Sequence, residues 1–179
     1  MCQYSSTDGV AGPWHMVHLG SRTVGGVGFI MAECTAVSAN GHISNGCAGL
    51  WDQKQAEALE SIVAFQKSFG AVTGAQISHS GRKGSAGTAL EGGCHLDAGN
   101  ASAWETVGPT DNAFDPDGTR LWRQPRALSV EDIRVIQEEF VQSAKLARDV
   151  GYDLLEVHCA HGNLLHSFLA AKREARPKA

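Results

Sequence analysis

Gly151-Tyr-Asp-Leu-Leu-Glu-Val-His-Cys-Ala-His-Gly-Asn-Leu-Leu-His166 decides the fold, because its apolar run ends abruptly in histidines. Leu154, Leu155 and Val157 form a short, nearly continuous apolar stretch just after Gly151, a glycine placed to end a helix. Such a stretch reads as a strand buried on both faces of a parallel sheet. His158 and His161 then fall at its C-terminal end, the side on which parallel α/β proteins bind their ligands. The competing reading is a core histidine whose ring N–H is satisfied by a backbone carbonyl.

Working outward, Ser129 and Asp132 have the spacing of a capping box, and Ile133, Ile136, Phe140, Ala144 and Ala147 continue a helical period up to Gly151. Ahead of that helix, the segment from Gly81 to Arg126 is rich in Gly, Ser, Asp and Pro and has no period. It is either an excursion that covers a site or a floppy insertion. Ala71 to His79 is an apolar run with Gln76 inside it, and reads as a second strand. Between Asp52, with Gln55 as its capping partner, and Gly70, the residues Leu59, Ile62, Val63 and Phe69 recur at helical spacing. Val27 to Val37 is another buried strand, and Pro13 to Arg22 a helix stopped by Gly25-Gly26. Strands alternating with helices mean parallel pairing through right-handed crossovers, hence an α/β fold. A closed (β/α)₈ barrel takes about 250 residues. Three strands and an N-terminal stub do not close one. The G-x-G-x-x-G turn of a dinucleotide-binding sheet is also missing.

Composition narrows the function classes. With 42% apolar and 19% charged residues among 179, the chain has a globular domain's balance. A net charge of −4 without a Lys/Arg run argues against a nucleic-acid surface. No apolar stretch nears the roughly 20 residues of a membrane span. The N-terminus shows no secretory pattern, so a cytoplasmic location is expected. Five widely spaced cysteines without a CxxC pair are expected as free thiols rather than as disulfides or a structural zinc site.

Seven phrases, in order, carry a resemblance: Met1-Cys-Gln-Tyr-Ser-Ser6, Trp14-His15, Gly49-Leu-Trp51, Gln76-Ile-Ser-His-Ser-Gly-Arg-Lys83, Trp104-Glu-Thr-Val-Gly-Pro109, Pro125-Arg-Ala-Leu128 and Glu156-Val-His-Cys-Ala-His-Gly162. Over Met1 to Leu169 the chain resembles the old yellow enzymes, most closely their thermophilic-like class of ene-reductases. The resemblance implies a (β/α)₈ barrel with FMN at its C-terminal face. NADH or NADPH reduces the flavin, which passes hydride to the activated alkene of an enone or a nitro substrate. By the same resemblance Cys2 tunes the flavin, Tyr4 hydrogen-bonds the substrate, Ala32 packs against the isoalloxazine and Gln76 meets its pyrimidine edge. His158 and His161 grip the substrate oxygen, while His79, Arg82 and Lys83 anchor loops. Read without the resemblance, Cys2 is a small buried hydrophobe and Gln76 an amide tied to backbone.

Two departures follow. Asn163 stands where the class has a proton-donating tyrosine. The later four strands, with the arginine near the flavin N1 and the phosphate-binding loops, do not appear. Residues 1–169 are therefore expected to be the N-terminal half of an FMN-binding barrel, a partial TIM barrel with parallel strands and outer helices, and residues 170–179 a polar tail. The alternative function is a catalytically inactive barrel fragment that acts through self-association, as a homo-oligomer, or through a complementing C-terminal half. A third reading, metal held by His158, His161 and His166, lacks a carboxylate or Cys partner.

Overall fold

Two capping boxes set where the main helices begin. In a computed structural model, which describes residues 1–114 and 122–170, a first helix α1 (Pro13–Val24) opens on a proline and leads into strand β1 (Phe29–Ala36). Asp52 Oδ1 then accepts the Gln55 backbone N–H at 3.1 Å, while Gln55 Oε1 accepts back from the N–H groups of Asp52 and Trp51. These bonds satisfy donors that the first turn of α2 (Gln53–Ser68) leaves orphaned. Strand β2 (Val72–Ser78) follows. After a long excursion, Ser129 and Asp132 exchange the same reciprocal bonds at the head of α3 (Val130–Val150), and Gly151 ends that helix at φ +97°. That left-handed conformation suits glycine because it has no Cβ.

The excursion is anchored rather than floppy among the described residues. It contains two short strands, β3 (Val107–Gly108) and β4 (Arg126–Ala127), which pair in parallel. Ser85, fully buried, accepts from the Trp104 backbone N–H at 3.0 Å and from the Arg123 guanidinium at 2.8 Å. Val107 and Leu128 pack with Leu164 in a small satellite core. Strand β5 (Leu154–Val157) and a short helix α4 (Leu164–Leu169) complete the described chain. Of the expected polar tail, residues 171–179 lie outside the described residues.

The main sheet has the order β1-β2-β5, all parallel. One main core gathers Leu19 of α1, Leu59, Ile62 and Val63 of α2, and Leu146, Ala147 and Val150 of α3 against Ile30 and Ala75 of the strands. All three long helices thus pack on the same side of the sheet. Ser143 of α3, wholly buried, donates to the Leu50 carbonyl and ties α3 to the turn before α2. Among the described residues no helix is long and apolar enough to cross a membrane.

One expectation fails. Strand β5 is not buried on both faces: Leu154, Leu155 and Val157 are 45%, 38% and 46% exposed. Among the described residues the strand pairs with β2 alone and stands at the end of the order β1-β2-β5. Its apolar sequence is that of a central strand, in an edge position.

Register between β2 and β5 is pinned just before the ladder starts. The Asp153 carboxylate accepts from the Thr73 N–H at 2.9 Å and the Thr73 hydroxyl at 3.0 Å, and pairs with Lys67 at 2.7 Å. The Lys67 ammonium, with help from Thr73, holds the Asp153 carboxyl down to about 2, below its ordinary 3.8. A depressed carboxyl contributes stability that is present above the ordinary value and lost as pH falls through the lowered one. Urea midpoints should therefore drop as pH falls from about 4 to about 2. An Asp153→Asn variant, uncharged throughout, should show a shallower drop in that window; an unchanged slope would assign the acid sensitivity elsewhere.

Candidate functional site

Parallel register lines up one residue from each strand on the face away from the helices. Cys34 of β1 stands opposite Gln76 of β2, which stands opposite Glu156 of β5. The Gln76 amide N–H donates to the Glu156 carboxylate, which fixes the orientation of an otherwise free side chain. Beyond this row the chain leaves β5 through His158, Cys159, Ala160 and His161. Together these residues wall a cavity of about 500 Å³, within the range of small-molecule sites.

The cavity brings together five of the six residues singled out from the sequence: Cys2, Tyr4, Gln76, His158 and His161. Ala32 is not among them. It lines a separate cavity under α1, with Trp14, His15, Glu33 and Tyr152. The physical reason is an irregularity in β1, where the register with β2 shifts between Met31 and Cys34. Cys34, read from the sequence only as one of the free thiols, stands on the cavity side instead. The signal that would have found it is its position facing Gln76, which only the register reveals. Lys83, read as an anchor, is also at the cavity, donating from Nζ to the His161 carbonyl at 2.8 Å. His79 and Arg82 are buried as expected for anchors; His79 Nδ1 accepts the Gly81 N–H at 3.0 Å.

The histidine pair has a defined protonation pattern. His158 Nδ1 accepts the Ala160 backbone N–H at 3.0 Å, so the neutral ring carries its proton on Nε2. That Nε2 lies 3.2 Å from His161 Nδ1, and the rings meet edge to face at 82°. With His158 donating, Nδ1 of His161 accepts and its own proton sits on Nε2. Two imidazole N–H groups thus stand at the mouth of one cavity. Burial, reinforced by the neighbouring His161, pushes the His158 imidazolium below the ordinary histidine value.

Asn163 lies beneath the pair, buried, with Nδ2 3.4 Å from His158 Nε2 and Oδ1 without a partner among the described residues. His166 turns away from the pair: its Nδ1 accepts the Gly162 N–H at 2.7 Å and braces the turn. Among the described residues, no group of three His, Cys, Asp or Glu side chains suits a metal ion. Backbone strain collects at the same place. His161 at φ +60° and Tyr4 at φ +55° are both left-handed without being glycine. Burial raises the Tyr4 hydroxyl above its ordinary value, which keeps it a hydrogen-bond donor.

The donor set suits the ring of FMN. An amide that both donates and accepts, held in place by a carboxylate, fits the pyrimidine edge of a flavin, and the Cys2 and Cys34 thiols offer a soft, weakly polar wall. The protonation pattern itself is open to measurement. Long-range ¹H–¹⁵N spectra should show His158 as the Nε2–H tautomer, titrating below the ordinary 6.5, while His158 in an unfolded reference titrates normally. A His158 that charges at or above the ordinary value would contradict the geometry.

The sequence profile of the NADH:flavin oxidoreductase / NADH oxidase family matches residues 1–177. An NADH:flavin oxidoreductase of Gibberella zeae is 38% identical over 174 residues, 95% of this chain and 41% of that protein. NADPH dehydrogenase of Clostridium acetobutylicum is 37% identical over 171 residues, 95% of this chain and 45% of its own. Among solved structures, morphinone reductase superposes with a TM-score of 0.78 over 96% of this chain and 45% of its own, at 24% identity, a likeness of fold. A variant of it in complex with tetrahydroNAD gives 0.79 over 99% and 48%, at 25% identity. The chain spans less than half the length of these relatives. On this evidence the chain belongs to the NADH:flavin oxidoreductase / NADH oxidase family, the old yellow enzymes, and carries part of their FMN-binding (β/α)₈ barrel.

Proposed function

We propose that this chain supplies the substrate-gripping half of an FMN-dependent NAD(P)H oxidoreductase that reduces the activated C=C bond of α,β-unsaturated carbonyl or nitro compounds. The observation that carries the reading is the His158–His161 pair at a cavity whose wall also holds Gln76. When bound, FMN supplies the hydride chemistry, drawing on NADH or NADPH. Gln76, Cys2 and Cys34 are the residues that would hold its ring.

The chain's own work is on the substrate oxygen. An oxygen entering between the two rings takes the His158 Nε2–H now directed at His161, and a second N–H from His161. Two preorganised donors stabilise the negative charge that grows on that oxygen as the β-carbon gains hydride, and one such donor is worth about 10²–10³ in rate. The Tyr4 hydroxyl, at the same cavity, is a further donor for the substrate. The α-carbon then needs a proton, and the Asn163 amide has none to give; water must deliver it.

The exposed apolar residues of β5 favour a further element of this reading, association with another chain that covers that edge. A second copy or a complementing C-terminal half would do so. An unassisted chain is also the alternative, an inactive barrel fragment. Flavin retained per chain after gel filtration separates the two, and the isolated 179-residue chain should retain little.

In a protein completed with a family C-terminal half, His158→Ala or His161→Ala should weaken phenol binding and slow alkene reduction by on the order of 10². Asn163→Tyr should raise alkene reduction and leave flavin reduction by the nicotinamide nearly unchanged. Wild-type phenol binding in both histidine variants would make the pair structural and sink the proposal.

A further inference from the structure

Glu33 belongs to β1 but lines the separate cavity under α1 rather than the ligand cavity, and its side chain is only 6% exposed. A carboxylate so shielded from water needs partners within the protein. Both of its oxygens have one. Oε2 accepts the Gln3 backbone N–H at 2.7 Å, and Oε1 lies 3.0 Å from His15 Nε2. His15 Nδ1 accepts the Gly12 N–H at 3.0 Å, so the neutral ring carries its proton on Nε2 and donates it to Glu33. The Ser6 hydroxyl, 3.3 Å from the same nitrogen, closes the group.

Gln3, the residue that Glu33 holds, stands between Cys2 and Tyr4, both of which line the ligand cavity. Tyr4 is the strained member, at φ +55°. For a residue with a Cβ that conformation lies above the ordinary negative-φ basins, and it persists where the flanking chain is fixed. Both flanks are fixed here. On one side Glu33 grips the Gln3 N–H, and the Ser5 hydroxyl donates to the Gln3 carbonyl at 3.0 Å. On the other, the Ser6 N–H donates to the Gly46 carbonyl at 3.0 Å. Gly46 also lies against Tyr4 itself, since a Cβ there would stand 3.0 Å from the Tyr4 carbonyl oxygen. The bond to Glu33 has an ionised acceptor, and such bonds are roughly twice as strong as neutral ones.

We propose that Glu33 is a positioning residue: backed by His15, its carboxylate holds Tyr4 in the left-handed conformation and so keeps Cys2 and the Tyr4 hydroxyl at the ligand cavity. Without the carboxylate, the Gln3 N–H and the His15 Nε2–H lose their acceptor. Tyr4 then relaxes to negative φ, and the Cys2–Tyr4 segment swings off the cavity wall. The role of Tyr4 as a substrate donor rests on the alkene chemistry proposed above. The hold on the main chain does not, and it is measured without flavin or substrate.

The test uses the full chain free of flavin. Hydrogen exchange followed by NMR should find the Gln3 amide protected, and the Tyr4 HN–Hα coupling and Cα shift should carry the left-handed signature. Glu33→Ala should move those Tyr4 signals to ordinary φ. It should also raise the alkylation rate of Cys2 on the order of tenfold, with exposed Cys94 as the internal reference. A merely structural role would give that rise whatever residue stands at position 4. Glycine adopts positive φ without strain, so in a Tyr4→Gly background Glu33→Ala should raise the Cys2 rate by only about twofold. An equal rise in both backgrounds, or no rise in either, overturns the proposal. So does a Gln3 amide that exchanges as fast as in an unfolded peptide, a measurement on the unmodified chain that decides the matter even where Glu33→Ala does not fold.

Discussion

The grip of the Asp153 carboxylate on Thr73 is the constraint from which the site follows. It holds the first residue before β5 against the start of β2, through the Thr73 N–H and hydroxyl, and the Asp153 N–H donates back to the Thr73 carbonyl at 2.9 Å. Side chains alternate faces along a strand, so a slip of one residue would turn Glu156 away from Gln76 and break the row at the cavity wall. With the register held, Cys34, Gln76 and Glu156 form one row and His158 follows on the same side. The Lys67 ammonium joins α2 to this lock, so helix and strand positions are not independent.

A different division of labour governs the helices. Their capping boxes and amphipathic stripes are local, and these were legible in the chain: Asp52 with Gln55, Ser129 with Asp132, and Gly151 as the stop. Parallel alternation followed from the same local signals. What stayed hidden depended on neighbours. The burial of β5 was misread because Leu154, Leu155 and Val157 have the composition of a central strand, and composition does not say how many strands lie alongside.

The site was legible unevenly for the same reason. Cys2, Tyr4, Gln76, His158 and His161 meet at one cavity, and the resemblance to old yellow enzymes named all five. Ala32, which the resemblance set against the isoalloxazine, lines a different cavity, because the register of β1 with β2 shifts between Met31 and Cys34. Cys34 then holds the cavity face. The excursion from Gly81 to Arg126 gave no periodic signal because its order comes from side chains such as Ser85, Trp104 and Arg123 meeting across many residues, which no window of sequence displays.

The left-handed backbone at Tyr4 and His161 has a consequence for how this site can vary. A non-glycine residue pays roughly 1–2 kcal/mol to sit there, least for Asn and Asp, whose short polar side chains bond locally, and most for β-branched residues. Any library that randomises the two positions will therefore be filtered by the main chain before chemistry is sampled. Survivors should cluster on Gly, Asn and Asp with the native aromatic and imidazole rings, and Val, Ile and Thr should be scarce even where their size suits a new ligand. The accessible range of substrates is thus narrowed by φ angles as much as by pocket shape.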